Sequence, residues 1–181
     1  TEEPILATFP APPLPARLTV IGADGSQIHP DRHAAAAFYL VNVGSLTLTH
    51  GSDEIPRVRS CPTLGFRDQD LLNERQDVVE SEIINARRDV AEMTELAQQA
   101  EASAADPAIA LLDNGLLLWV ALQEQDRRRR EVEALLAAYL AAMTRVQAAG
   151  AVLGGFVDRP RGANLLSLAH LASLSDEQVA H

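Results

Sequence analysis

Two apolar runs in this chain stop at an aspartate beside a glycine: LTVIGADG at residues 18–25 and AIALLDNG at residues 108–115. Each run is short and bounded by turn-forming residues, the mark of a buried strand. This recurrence constrains the fold more than either instance does. Strands that deliver carboxylates from their ends belong to an open α/β sheet, where sites form beyond the carboxyl ends of the strands. Two readings of the pair stay open. Asp24-Gly25 and Asp113-Asn114-Gly115 are ordinary turns, since Asp, Asn and Gly suit turn geometry. Or they hold carboxylates that share a divalent cation, because Mg²⁺ and Mn²⁺ prefer carboxylate oxygen.

The rest of the chain supplies the elements around them. Residues 1–16 carry five prolines and read as an extended lead-in, with one domain expected over 17–181. Arg17–Ala23 is predicted as a strand ended by an Asp24-Gly25 turn. Residues 34–50 are predicted as two strands with a bend at Gly44-Ser45, Leu46 and Leu48 alternating with Thr47 and Thr49. Residues 52–67, with Pro56, Pro62 and Gly65, read as a loop. From Asp68 to about Ser103 the apolar residues recur at helical spacing, with one interruption. Asp106-Pro107 breaks this helix before the second aspartate-tipped strand. A long helix is expected from about Leu116 to Ala149, stopped by Gly150. AVLGGFV (151–157) reads as another buried strand, and NLLSLAHLASL (164–174) as an apolar helix. The order predicts a mixed α/β domain.

Composition excludes more than it assigns. With 181 residues and 47% apolar content the chain can bury a core. A single cysteine, Cys61, excludes an internal disulfide framework and a cysteine-based zinc site. No apolar stretch approaches the ~20 residues of a membrane span, and a cytoplasmic location is expected. All 15 basic residues are arginine and the net charge is −10, which does not advertise nucleic-acid binding. Metal-dependent nucleases are the exception, because they concentrate carboxylates and bring the cations that cancel them.

Other chemistry-bearing residues rank lower. Glu80, Glu82, Asp89, Glu92 and Glu95 could each give a third oxygen donor from the acidic helix. His29 and His33 have a zinc-like spacing, but Pro30 between them argues against a helix and no third ligand is fixed. Ser26 lacks a strand–Ser–helix elbow and is expected to cap the turn. Cys61 has no base nearby in sequence. The run Arg127–Arg130 lies within EQDRRRREVE, where opposite charges stand at i,i+4 spacing, including Arg129–Glu133. A solvated helix face laced by ion pairs is the expectation. Trp119 is expected in the core.

The segments GADGSQIHPDRH (22–33), YLVNVGSLTLTHG (39–51), ARRDVAEMTEL (86–96), ALLDNGLLLW (110–119) and GAVLGGFVDRPR (150–161) together resemble the NurA nuclease family. These are 5′→3′ DNA nucleases of archaea and some bacteria. The resemblance implies an RNase H-like mixed sheet flanked by helices. It also implies a metal and catalytic set of Asp24, Glu92 and Asp113, with Glu95 or Glu82 as fallbacks for the helix glutamate. Mn²⁺, with Mg²⁺ the alternative, is the implied cofactor. Single-stranded DNA or resected ends, a HerA-type hexameric ATPase and a second copy of the chain are the implied partners. Arg127, Arg128 and Arg159 are the weak candidates for touching DNA. The chain departs from the family in having Asp-Asn-Gly where Asp-Gly is usual. It also has no counterpart, before His181, of the C-terminal segment that supplies further acidic or histidine residues; His170 and His181 are poor substitutes. The rivals are a non-catalytic RNase H-like interaction or dimerisation module, and another RNase H-like phosphodiester hydrolase such as a resolvase.

Overall fold

The computed structural model describes residues 8–31, 33–73, 76–103, 107–123 and 129–158, with residues 167, 169, 170 and 174. The chain divides into two units: residues 16–156, and residues 1–15 together with 157–181. The elements below all lie in the first unit. In the second, residues 8–15 hold no regular secondary structure.

The first aspartate does not end its strand. Strand β1 runs Leu18–Ile28, and Asp24-Gly25 lies within it rather than in a turn. The reason is its partner. β2 (Tyr39–His50) pairs antiparallel along all of β1, from Leu18↔His50 to Ile28↔Leu40. Ladder pairing over this length outweighs the turn propensity of Asp-Gly, a local preference worth far less. β2 is likewise a single strand. No bend interrupts it at Gly44-Ser45, because Gly44 sits opposite Asp24 in unbroken register.

The predicted loop 52–67 contains a third strand, β3 (Arg57–Gly65), antiparallel to β2. It escapes detection because it is an edge strand, almost wholly exposed and lacking apolar alternation. Pro62 is tolerated there, since an edge strand has one side free of ladder bonds. The interrupted helix resolves into a short α1 (Asp68–Leu71), a Leu72↔Val78 bridge, and α2 (Ser81–Ala102). β4 (Ala108–Leu112) then pairs parallel to β1. The long helix starts later than Leu116: a 3-10 turn, Trp119–Leu122, comes first, and α3 spans Arg129–Ala148. Gly150 adopts a φ of +80° just past the helix, as a C-terminal stop requires. β5 (Ala151–Gly155) pairs parallel to β4 at the other edge and is half-exposed rather than buried. Most of the predicted helix 164–174 lies outside the described residues.

The sheet order is β3-β2-β1-β4-β5, with three antiparallel strands joined to two parallel ones. This is the RNase H-like mixed sheet. One face is buried: Thr19, Ile21 and Ala23 of β1 share it with Val41, Val43, Ser45 and Thr47 of β2 and with Ala108, Ala110 and Leu112 of β4. Helix α2 covers it with Ile83, Ile84, Met93, Leu96, Ala97 and Ala100, spaced to make one stripe. Each fully buried Ile or Leu in this layer stabilises the fold by about 2 kcal/mol. Tyr139, Ala142 and Val146 of α3 join the same core. Arg145 grips Glu101 through two bonds of 2.8 Å, tying α3 to α2. Arg87 of α2 donates to the Tyr39 hydroxyl at 3.0 Å, the Asp70 carbonyl at 2.8 Å and Glu131 at 3.0 Å. Trp119 corrects another expectation. It is 63% exposed, because the 3-10 turn buries Leu118 and Val120 and turns Trp119 outward.

Candidate functional site

The last register pair of the β1/β4 ladder is Ala23↔Leu112. The next residues are Asp24 and Asp113. Adjacent parallel strands lie about 4.8 Å apart, so the backbones of the two aspartates are neighbours at the carboxyl end of β4, Asp24 still within β1 and Asp113 just past β4. Beyond this point β1 continues on β2 alone. Asp24 is exposed at the fork.

Glu92 reaches the fork from α2. It is 5% exposed, and the Gly25 N–H donates to its carboxylate. This approach depends on Gly25 having no side chain. A Cβ there would stand 2.5 Å from Glu92 Oε1 and 2.7 Å from Arg88 Cγ. Arg88 lies across the same spot: its Nη2 donates to Asp89 Oδ1 at 2.7 Å and its Nη1 to Gln27 Oε1 at 3.0 Å. Its Nε is 3.1 Å from Glu92 Oε1. That contact is an ion pair and not an aligned hydrogen bond, for Nε is buried without a hydrogen-bond partner. The hydroxyl of Tyr139 is similarly orphaned. Burial pushes that hydroxyl up to about 12, helped by the charges of Asp89 and Glu92.

Burial raises the Glu92 carboxyl from an ordinary 4.5 to about 7. Arg88 opposes the rise, Asp89 and Asp24 add to it, and the Gly25 hydrogen bond lowers it again. For Arg88 burial acts downward, but the bond to Asp89 and the charges of Asp89, Glu92 and Asp24 outweigh it and leave the guanidinium raised. The folded chain therefore holds the Glu92 proton more tightly than the unfolded chain. Its contribution to stability is fully present below pH 4.5 and is lost as the pH rises to about 7. In cation-free buffer this loss is expected to reach about 2–3 kcal/mol. Glu92→Gln should remove that part of the pH dependence; an unchanged profile in urea melts would show that Glu92 does not titrate there.

The other sequence candidates are placed as follows. Glu95, the first fallback, is buried one turn along α2 but faces elsewhere: it accepts from Ser45 at 2.7 Å and Gln99 at 2.9 Å. Cys61 lies on β3 rather than in a loop, with its Sγ 3.7 Å from Glu95. Glu82, the second fallback, is exposed in the first turn of α2. His29 bonds to Asn85 at 3.0 Å instead of pairing with His33. Ser26 has no turn to cap, and Gln27 points to α2, donating to Asn85 at 3.0 Å. Arg127, Arg128 and Arg159 lie outside the described residues, and Arg129 bonds Glu133 at 2.9 Å along the helix. Arg88 and Asp89 are the site residues that sequence reasoning missed or left unranked. Their one sequence signal is the RRD run at 87–89, at i−4 and i−3 from Glu92.

Among the described residues, no group of three or more His, Cys, Asp or Glu side chains stands close enough to hold a metal ion. The donors at the fork are nonetheless of the right kind for a hard cation, all carboxylate oxygen. Glu92 Oε1 and the Arg88 stem fill the place that a Cβ at Gly25 would take, which brings one of these carboxylates against β1.

A family model of the NurA domain matches residues 18–178. The chain belongs to the NurA family. Among solved structures it is similar to the NurA nuclease from Sulfolobus solfataricus, at 14% identity and a TM-score of 0.52. That match covers 81% of this chain and 49% of the other, so this NurA chain spans about half the length of that relative. It is also similar to LC9-RNase H1, a type 1 RNase H with the type 2 active-site motif, at 12% identity and a TM-score of 0.42 over 92% of this chain and 76% of that one. A NurA bound to dAMP and manganese matches at 13% identity and a TM-score of 0.30, over 92% and 40%. No curated protein matches the chain.

Proposed function

We propose that this NurA domain is the carboxylate-bearing half of a metal-dependent DNA nuclease. The observation that carries this reading is the fork itself: Asp24 and Asp113 follow the last β1/β4 register pair, and Gly25 lets Glu92 approach β1 near enough to feel the charge of Asp24. Asp24, Glu92 and Asp113 would hold Mn²⁺, with Mg²⁺ the alternative. When bound, the cation supplies Lewis-acid chemistry, lowering the pKa of a water and offsetting charge on the phosphodiester.

The chain's own residues prepare that chemistry. The β1/β4 ladder, ending one residue before them, brings the backbones of Asp24 and Asp113 next to one another, which supports this reading. The Gly25 N–H orients the Glu92 carboxylate. With its carboxyl raised to about 7, Glu92 holds a proton for part of the time at neutral pH and gives it up when a positive charge approaches. No covalent intermediate is required, and none of the residues at the fork is a nucleophile of the Ser or Cys type.

The family adds finer expectations, all part of the same proposal: 5′→3′ exonuclease and single-strand endonuclease action in end resection and double-strand break repair. The proposed partners are a HerA-type hexameric ATPase and a second copy of the chain, in the cytoplasm. No helix among the described residues is long and apolar enough to cross a membrane.

The test is a calorimetric titration of Mn²⁺ into the protein and its Asp24→Ala and Asp113→Ala variants. Binding abolished by both substitutions supports the reading. Binding unchanged by either returns the pair to a structural role and favours the non-catalytic module.

A further inference from the structure

Arg88 is the one positive side chain among those described at the fork, and its pose is unusual in three respects. Its stem runs flat over β1 at Gly25, where a Cβ would meet Cγ at 2.7 Å and Cδ at 3.1 Å. Two of its nitrogens are tied, to Gln27 at 3.0 Å and to Asp89 at 2.7 Å. The third, Nε, is buried 3.1 Å from Glu92 Oε1 without hydrogen-bond alignment.

We propose that Arg88 is a resident counter-ion of the carboxylate site, which a divalent cation must displace from Glu92. The inference rests on the metal-site reading above. A guanidinium stays charged at every relevant pH, so it cannot yield by losing a proton. A divalent cation at Glu92 Oε1 would stand within a few ångströms of Nε, and like charges at that range repel strongly away from water. One of the two has to leave. The guanidinium is the weaker competitor. Its charge is spread over three nitrogens, whereas a hard cation concentrates two charges on carboxylate oxygen. It already leaves one buried donor unsatisfied, so release removes a cost of the present pose. The exit is open, because the Arg88 side chain is 28% exposed while Glu92 is nearly enclosed. Gln27 keeps its place when Arg88 goes, for it is also bonded to Asn85 at 3.0 Å.

The consequence is a site whose negative charge is partly offset without metal and that binds metal less tightly than its carboxylates alone would. Arg88 therefore acts as a positioning residue that sets cation affinity. The test uses Arg88→Met, which keeps the stem and removes the charge, and Arg88→Lys, which keeps the charge and loses the two-corner grip. Mn²⁺ is titrated calorimetrically into each, and thermal unfolding is followed with and without Mn²⁺. Arg88→Met is expected to bind Mn²⁺ about tenfold more tightly or better. It should melt lower than the parent without the ion and recover most of that loss with it. Arg88→Lys should fall between the two. If Arg88→Met does not fold, tighter binding by Arg88→Lys supports the proposal and equal or weaker binding overturns it. Binding by Arg88→Met that is unchanged or weaker than the parent's overturns the displacement role alone. Absence of Mn²⁺ binding in parent and variants alike overturns the metal-site reading, and the proposal with it.

Discussion

On the proposed nuclease reading, Asp24→Asn is expected to reduce metal-dependent cleavage of single-stranded DNA by about a thousandfold or more while leaving the unfolding midpoint almost unchanged. The two effects separate because of where Asp24 sits. It is exposed, lies opposite Gly44, and belongs to a stretch of β1 whose backbone bonds go to β2. Its side chain therefore contributes little packing, and an isosteric amide keeps the ladder intact. What is lost is one negative charge beside the end of the β1/β4 ladder. Cleavage of a labelled oligonucleotide in Mn²⁺ buffer, with a urea melt of the same sample, reads both effects. Cleavage at the parental rate by a folded Asp24→Asn protein would remove Asp24 from the catalytic set.

Gly25→Ala should fail in both respects. The new Cβ would stand 2.5 Å from Glu92 Oε1, a contact that real side chains do not tolerate. Glu92 cannot retreat easily. It is 5% exposed on a helix whose neighbouring residues, Met93 and Leu96, are fully buried. Overpacking of this kind costs about 1–3 kcal/mol, and loss of the Gly25-oriented carboxylate is expected to lower cleavage by about a hundredfold or more. The glycine is needed for space alone, since its φ is not positive. A Gly25→Ala protein with parental stability and activity would show that Glu92 stands clear of β1 in solution.

Much of this arrangement was legible before any coordinates. The two aspartate-tipped apolar runs predict neighbouring strands, and the register confirms them as neighbours. The helical spacing of Ile83, Ile84, Met93 and Leu96 identifies the layer over the sheet. The misses share a cause. Asp24-Gly25, Gly44-Ser45 and β3 are strand only because another strand lies beside them, and local sequence carries no record of a partner 10 or more residues away. Trp119 was misplaced because hydrophobicity predicts burial without saying which way a 3-10 turn faces. Arg88 was invisible for a different reason. In RRD an arginine next to an aspartate reads as a solvated pair, and only the approach of Gly25 and Gln27 from β1 turns it into a part of the site. The nuclease reading itself came from the series of motifs, which the family match over residues 18–178 supports.

The fork between β1 and β4 has a consequence for how such a domain can diverge. The distance between the backbones of Asp24 and Asp113 is set by the β1/β4 ladder that ends one residue before them, not by the side chains packed beneath it. Core residues such as Ile21, Ala110 and Leu112 can therefore be exchanged for others of similar bulk without altering that distance. The chemistry is insulated from drift in the interior. Glu92 has no such insulation. Its reach depends on the thickness of the α2 layer, so a bulkier residue at Ala86 or Ala97 would carry it away from the strand ends and leave the aspartates behind.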